Sequence, residues 1–154
     1  MKFIASPEGK KYEKEGEFIS KHGLTVFPYP FQFNYCKEKI QLKYQDGYPF
    51  FEYQGKALFL PKTMSVAKAK SYANDILMEQ DPESPHRYSN SVFTIDTKDV
   101  LLDIGCGDAN FTLENIEIEK KAILFETDPN WEIPLLKTFG PWKDKVHIFN
   151  KRVG

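Results

Sequence analysis

The spacing of apolar and polar residues predicts that the first half of the chain is rich in β-structure. Aromatic residues alternate with other residues from Phe27 to Tyr35, a period of two that is typical of a strand. Pro28 and Pro30 interrupt this stretch, and proline is confined to edge strands and bulges. We therefore expect an edge or extended segment there, after a charged, solvated lead-in over 1–20.

A hairpin and a helix are predicted next. Asp46-Gly47 separates the apolar runs 40–44 and 50–53, and this dipeptide readily adopts the positive φ angles of a tight turn. A second turn at Gly55 leads into a third apolar run, which predicts an antiparallel meander. Ser65 then has the position of a helix N-cap before apolar residues at three- and four-residue spacing.

From residue 99 onward the pattern changes to strand–helix–strand–helix–strand. The predicted strands are 100–104, 122–125 and 146–149, with helices starting near Ala109 and over 130–139. Such alternation predicts parallel strands with crossover helices. The fold class is therefore α/β and Rossmann-like, preceded by the meander and a helix. We divide the chain into a β-rich aromatic region 1–64, a helix and connector 65–98, and the first half of a Rossmann-like domain 99–154.

A glycine-rich turn follows the first of these strands. Val100–Ile104 runs into Gly105, Cys106 and Gly107, and a helix opens near Ala109. The two glycines permit a sharp turn and a close approach of ligand to backbone. The N–H groups at the start of the helix suit a carboxylate or a phosphate.

Two nucleotide-like ligands compete for this turn. A dinucleotide fingerprint requires a third glycine, and that position is Asn110. S-adenosylmethionine instead calls for an acidic residue two positions before the first glycine, and Asp103 stands there to attract the ammonium group. Glu126, at the predicted carboxyl end of the next strand, can accept the hydroxyl protons of a ribose. The pair favours S-adenosylmethionine over NAD.

Charge and composition exclude several other classes of protein. Lys plus Arg number 21 and Asp plus Glu 22, so the net charge is −1 and lacks the basic excess of nucleic-acid or anionic-membrane binders. No apolar run approaches the ~18–20 residues of a membrane helix, and no signal peptide is recognisable. Two cysteines are too few for a disulfide scaffold. We expect a cytoplasmic protein without a metal site.

Three stretches resemble a known family: 103–113, Phe125-Glu126-Thr127-Asp128 and 142–153. They are similar to class I S-adenosylmethionine-dependent methyltransferases, and more narrowly to the FkbM family. That family commonly has Asp-x-Gly-Ala-Asn-x-Gly and Phe-Glu-Pro-Asp. Here Cys106 and Gly107 replace Ala-Asn, Ala109 replaces the later glycine and Thr127 the proline. The resemblance covers about 79–154.

The resemblance implies a role for each matching residue. Asp103, Gly105, Cys106 and Gly107 would meet the amino-acid end of S-adenosylmethionine, Glu126 the ribose, and Asp128 the region of the adenine. No catalytic base is implied. The activity implied is methyl transfer to a hydroxyl of a sugar or another small metabolite.

Class I domains usually have seven strands, and only three are recognisable here. The resemblance therefore implies a C-terminally incomplete methyltransferase, which we expect to be inactive in isolation. The free apolar edge of 100–104 predicts self-association or a partner chain. Two alternatives stay open: a non-catalytic cofactor-binding or interaction fragment, and an NAD(P)-binding oxidoreductase.

A few other polar residues could carry chemistry. Cys106 could be a nucleophile beside a helix N-terminus, although a small residue tolerated against ligand is the favoured interpretation. His86 and His147 have no metal-ligand spacing and are expected to pack or to form surface hydrogen bonds. The stretch His86-Arg87-Tyr88 precedes the first strand of the α/β pattern and could reach the cofactor's carboxylate.

Overall fold

A computed structural model describes residues 29–89 and 93–153. The predicted lead-in over 1–20 lies outside the described residues. Within them, the chain has α/β content with two separate three-stranded sheets, one antiparallel and one parallel. No helix in these two ranges is both long enough and apolar enough to cross a membrane.

The antiparallel sheet is the predicted meander. Its strands are β1 (Lys43–Gln45), β2 (Tyr48–Tyr53) and β3 (Lys56–Phe59), paired in the order β1-β2-β3. Both connections are two-residue turns in which both residues have positive φ: Asp46 and Gly47 in the first turn, Gln54 and Gly55 in the second. This backbone twist matches that of the flanking strands, which is why the turns close the hairpins tightly.

The prediction of an extended segment over 29–35 is wrong. Pro30–Asn34 forms a 3₁₀ helix instead. The Gln32 side chain accepts a hydrogen bond from the Tyr29 N–H at 2.8 Å, and Pro30 has a φ angle suited to the first helical position. The local hydrogen bond of the Gln32 side chain therefore outweighs the period-two pattern. The side chain of Phe31, within this 3₁₀ helix, is buried.

The first α-helix, α1 (Val66–Glu79), begins where the sequence predicts. The Ser65 hydroxyl accepts a hydrogen bond from the Lys68 N–H at 3.3 Å, as an N-cap does. Ala69, Ala73 and Ile76 form the buried face. The helix ends shortly before Pro82, because the residue preceding a proline disfavours helical backbone.

The parallel sheet confirms the predicted strands. β4 (Val100–Ile104), β5 (Lys121–Phe125) and β6 (Val146–Phe149) pair in the order β4-β5-β6. The helix α2 (Asn110–Asn115) connects β4 to β5, and α3 (Glu132–Thr138) connects β5 to β6. The predicted helix 130–139 begins instead as a 3₁₀ turn, Pro129–Trp131.

One hydrophobic core joins the two sheets. Buried residues of β2, β3 and α1 belong to the same cluster as buried residues of α2, β5, α3 and β6. Across this core the Phe59 N–H of β3 donates a hydrogen bond to the Thr138 hydroxyl of α3 at 3.0 Å. The antiparallel sheet is thereby fixed to the helical layer of the parallel sheet.

The opposite face of the parallel sheet is uncovered by the described residues. Val100, Leu102 and Ile104 of β4 are 53–57% exposed, whereas Ala122 and Leu124, on the other face of β5, are fully buried. Right-handed crossovers that advance in one direction place their helices on one face of a sheet, which accounts for this asymmetry. Among the described strands, β4 is an edge strand.

Candidate functional site

The turn after β4 has the backbone conformation that its glycines permit. Gly105 and Gly107 have φ angles of 70° and 53°, and Ala109 follows with a φ of 54°. A Cβ atom added at either glycine would meet no other atom within 4 Å. The glycines are therefore required by the backbone conformation rather than by crowding, and the space above the turn is open.

The N–H groups of this turn are already bonded within the protein. The Gly105 and Cys106 N–H groups both donate to the Phe125 carbonyl oxygen, at 2.8 and 3.1 Å. The Gly107 N–H donates to Glu126 Oε2 at 2.8 Å, and the Ala109 N–H to the Cys106 carbonyl oxygen at 2.7 Å. These four N–H groups are therefore not free to bind a carboxylate, which differs from the expectation of free donors at this turn.

A cavity of about 430 Å³ lies over the turn. Its side walls combine three carboxylates, Glu79, Asp103 and Asp108, with three aromatic rings, Tyr72, Tyr88 and Phe111. None of the described residues that line it is a lysine, an arginine or a histidine. The cavity thus has the chemical character of a site for a cation with an apolar portion.

Two of the carboxylates are held in fixed positions. The Thr112 hydroxyl donates to Asp103 Oδ2 at 2.7 Å, and the Tyr72 hydroxyl donates to Asp108 Oδ2 at 2.6 Å. Asp108 Oδ1 accepts the Asn110 N–H at 2.8 Å. Burial is the main cause that raises the pKa of both aspartates, and Asp108 and Glu126 raise that of Asp103 further.

Tyr72 connects α1 to this acidic wall. Its ring lies 5.7 Å from that of Trp131, centroid to centroid, and its hydroxyl is bonded to Asp108. Burial and the neighbouring Asp108 carboxylate raise the pKa of Tyr72. The hydroxyl therefore remains a proton donor and positions Asp108.

The Cys106 thiol lies in an unfavourable environment for a nucleophile. Burial, followed by the charges of Asp103 and Glu126, raises its pKa to about 12. Thiolate is the reactive form of cysteine, and it is disfavoured here. The favoured interpretation, a small residue next to the cavity, fits this environment.

Glu126 and Asp128 follow β5 but differ in their position. Glu126 Oε1 accepts the N–H groups of Thr127 and Asp128 at 2.7 and 2.8 Å, while Oε2 holds Gly107. Glu126 thus reaches the glycine turn, as the sequence predicts. Asp128 Oδ1 accepts the Asn130 N–H at 2.9 Å and caps the following 3₁₀ turn. Neither Glu126 nor Asp128 is among the residues that line the cavity.

Two neighbouring residues of the connector before β4, Arg87 and Tyr88, line different cavities. Tyr88 lines the cavity over the turn, whereas Arg87 forms a 2.9 Å ion pair with Glu114 and lines a different cavity of about 970 Å³. His86 and His147 lie outside both linings, and His147 is exposed on β6. Within 29–89 and 93–153, no group of three or more His, Cys, Asp or Glu side chains could hold a metal.

Sequence reasoning missed the contribution of α1 to the site. Tyr72 is one of the apolar residues at helical spacing after Ser65, and Glu79 begins the stretch 79–154 that resembles the family without any implied role in the site. The one available signal was the carboxylate of Glu79 at the last position of a helix, where negative charge is unfavourable.

No protein-family model matches this chain, and no curated protein or solved structure has significant similarity to it.

Proposed function

We propose that this chain binds S-adenosylmethionine and is a Rossmann-like class I methyltransferase that resembles the FkbM family. The observation that carries the proposal is the cavity over the turn after β4, lined by Asp103, Asp108 and Glu79 without a basic residue. S-adenosylmethionine carries a sulfonium and an ammonium group against a single carboxylate. Its net positive charge matches this lining.

The position of the cavity supports the same proposal. Ligands of open parallel sheets bind beyond the carboxyl ends of the strands. The cavity lies there, at the end of β4, and Glu126, at the end of the neighbouring β5, accepts a hydrogen bond from Gly107, which lines the cavity. In the proposal Asp103 attracts the ammonium group, and Glu126 accepts the hydrogen bonds of the ribose.

One feature of the site must change when such a ligand binds. Glu126 Oε2 accepts the Gly107 N–H, so a ribose that takes this oxygen frees the N–H for the ligand's carboxylate. Glu126 Oε1 keeps its two backbone donors and holds the side chain near the site. Cys106 provides backbone next to the ligand, and Asp128 acts indirectly, through the loop that it caps.

Methyl transfer from S-adenosylmethionine mainly requires the protein to position the two reactants. S-adenosylmethionine supplies an electrophilic methyl group, and transfer proceeds when an acceptor oxygen is held in line with the carbon–sulfur bond. In the proposal, the residues that line the cavity hold the cofactor, and Tyr72, Tyr88 and Phe111 of that lining cover it. That the acceptor is a hydroxyl of a sugar or a small metabolite rests on the family resemblance alone.

A dinucleotide fits this cavity less well. The pyrophosphate of NAD is an anion, and three carboxylates with no nearby cation would repel it. The turn offers it no free row of N–H donors, and the third glycine of the fingerprint is Asn110. The second candidate is therefore a non-catalytic protein that binds the same cofactor.

The test is calorimetric titration of the pure chain with S-adenosylmethionine. We expect binding that Asp103→Asn weakens at least tenfold, because the charge is lost and the shape is kept. Asp144→Asn, on an exposed residue away from the cavity, is the matched control and should leave binding unchanged.

Absence of binding by a chain that circular dichroism shows to be folded would overturn the proposal. Transfer of a labelled methyl group to one of a panel of sugars and small hydroxyl compounds would exclude the non-catalytic candidate and would contradict the expectation that the isolated chain is inactive. Binding of NAD but not of S-adenosylmethionine would favour the oxidoreductase.

A further inference from the structure

Around the cavity over the glycine turn lies an acidic wall, defined here as Glu79, Asp103, Asp108 and Glu126. These four residues come from α1, β4, the turn and the end of β5, yet they act on shared neighbours. The charges of Asp103, Asp108 and Glu126 all raise the pKa of Cys106, and those of Asp108, Glu79 and Glu126 raise that of Tyr72. The wall therefore acts as one electrostatic unit.

No lysine or arginine neutralises this wall within the described residues. The ion pairs that the structure contains there are Lys43–Glu52, Arg87–Glu114 and Lys137–Asp46, and none of them involves the wall. Like charges gathered without a counter-ion are costly, and a positive ligand would relieve that cost.

Glu79 is the member of the wall with no evident role in stability. It is exposed and stands at the last position of α1, where the helix dipole disfavours a carboxylate. Unlike Asp103, Asp108 and Glu126, it has no hydrogen bond to another described residue that would fix its side chain. It nevertheless lines the cavity.

Aromatic rings add to the attraction of the cavity for a cation. Tyr72 and Tyr88 line it together with Glu79, Asp103 and Asp108 of the acidic wall, and Phe111 packs against Tyr88 with their ring centroids 5.6 Å apart. Aromatic faces attract sulfonium and ammonium groups through the ring quadrupole. They offer no such attraction to a neutral thioether.

We propose that this cavity discriminates by charge: it binds the sulfonium cofactor more tightly than the neutral thioether product, S-adenosylhomocysteine, and Glu79 is a specificity-determining residue. The inference rests on the proposed function. Its consequence is that transfer of the methyl group removes the positive charge and with it part of the affinity, so that product release is favoured.

The experiment compares three ligands by calorimetry at low and at high salt. These are S-adenosylmethionine, S-adenosylhomocysteine and sinefungin, which has an amine in place of the sulfonium. At low salt we expect the two cations to bind at least threefold more tightly than S-adenosylhomocysteine. The ratio should fall towards one in 0.5 M salt, because screening weakens the attraction to the wall.

Glu79→Gln isolates the contribution of the wall. We expect it to weaken binding of both cations roughly threefold to tenfold and to change that of S-adenosylhomocysteine less than twofold. Removing a carboxylate from a helix C-terminus does not threaten folding. Glu52→Gln, on the exposed side of β2, is the matched control and should change none of the three affinities.

The outcomes separate the two proposals. If none of the three ligands binds to the folded chain, the proposed function fails, and this inference fails with it. If S-adenosylhomocysteine binds as tightly as S-adenosylmethionine, or Glu79→Gln weakens all three equally, the charge discrimination is wrong while cofactor binding stands.

Discussion

Glu119 is the buried carboxylate whose removal we expect to stabilise the protein most. Its side chain is 1% exposed, and neither carboxylate oxygen has a hydrogen-bond partner among the described residues. Burial raises its pKa to about 7, against the opposing attraction of Lys145, whose ammonium donates instead to the Ile116 carbonyl oxygen. A charge at this position is therefore poorly compensated.

The sign and the magnitude of the effect of Glu119 on the free energy of unfolding follow from the linkage between proton binding and folding. The folded-state pKa is above the ordinary 4.5, so the stabilising effect of the protonated group is complete below pH 4.5. It is lost as the pH rises to about 7, beyond which ionised Glu119 destabilises the fold by a constant amount. A shift from 4.5 to about 7 corresponds to about 3 kcal/mol.

Glu119→Gln removes the ionisation and keeps the shape. We expect the variant and the parent to differ little in pH dependence below pH 4.5, and the variant to gain about 3 kcal/mol relative to the parent by pH 8.5. For a chain of this size that is a rise in Tm of about 6–12 °C. Urea titrations followed by the fluorescence of Trp131 and Trp142 would measure it at both pH values.

Glu52→Gln, a change to an exposed carboxylate, is the control and should leave the pH dependence of the free energy of unfolding unchanged. If Glu119→Gln and the parent lose stability in parallel between pH 4.5 and 8.5, the reasoning from burial is refuted.

Three further changes test other parts of the structure. Thr138→Val should cost about 1–3 kcal/mol in chemical denaturation because the Phe59 N–H loses its buried acceptor, and Thr138→Ser should restore most of it. Gln54→Asn should raise Tm by about 1–3 °C, because asparagine tolerates the left-handed φ of 49° better; a fall would contradict this. Affinity for S-adenosylmethionine should rise with pH as Asp103, whose pKa burial raises, ionises; calorimetry from pH 5 to 8 would measure it, and Asp103→Asn should flatten the profile.

The elements that sequence predicts well are those with a strong local signal. β4 and β6 begin and end where their apolar runs do, and α1 begins at the Ser65 cap because a hydroxyl that accepts an N–H is a local interaction. The wrong prediction at 29–35 also depends on a local interaction. The Gln32 side chain accepts the Tyr29 N–H, and the alternation of aromatic residues does not indicate this hydrogen bond.

The composition of the cavity was beyond local reasoning. Tyr72 and Asp108 are 36 residues apart and meet because α1 packs beside the glycine turn. A periodic pattern predicts that a helix is buried on one face, but not which loop that face will meet. The sequence pattern that ends α1 at Glu79 therefore gives no indication that this carboxylate lies beside the glycine turn.

Glu126 illustrates where prediction from sequence stops. Its position at the end of β5 follows from strand length, and its carboxylate lies beside the glycine turn as the spacing from Asp103 implies. Its partners do not follow: three backbone N–H groups already bond it. A ligand that binds here must compete with a charge-assisted hydrogen bond to Gly107, which is worth roughly 1.5–3 kcal/mol. The affinity of the site is therefore set by the exchange of one hydrogen bond for another, a quantity that no sequence motif contains.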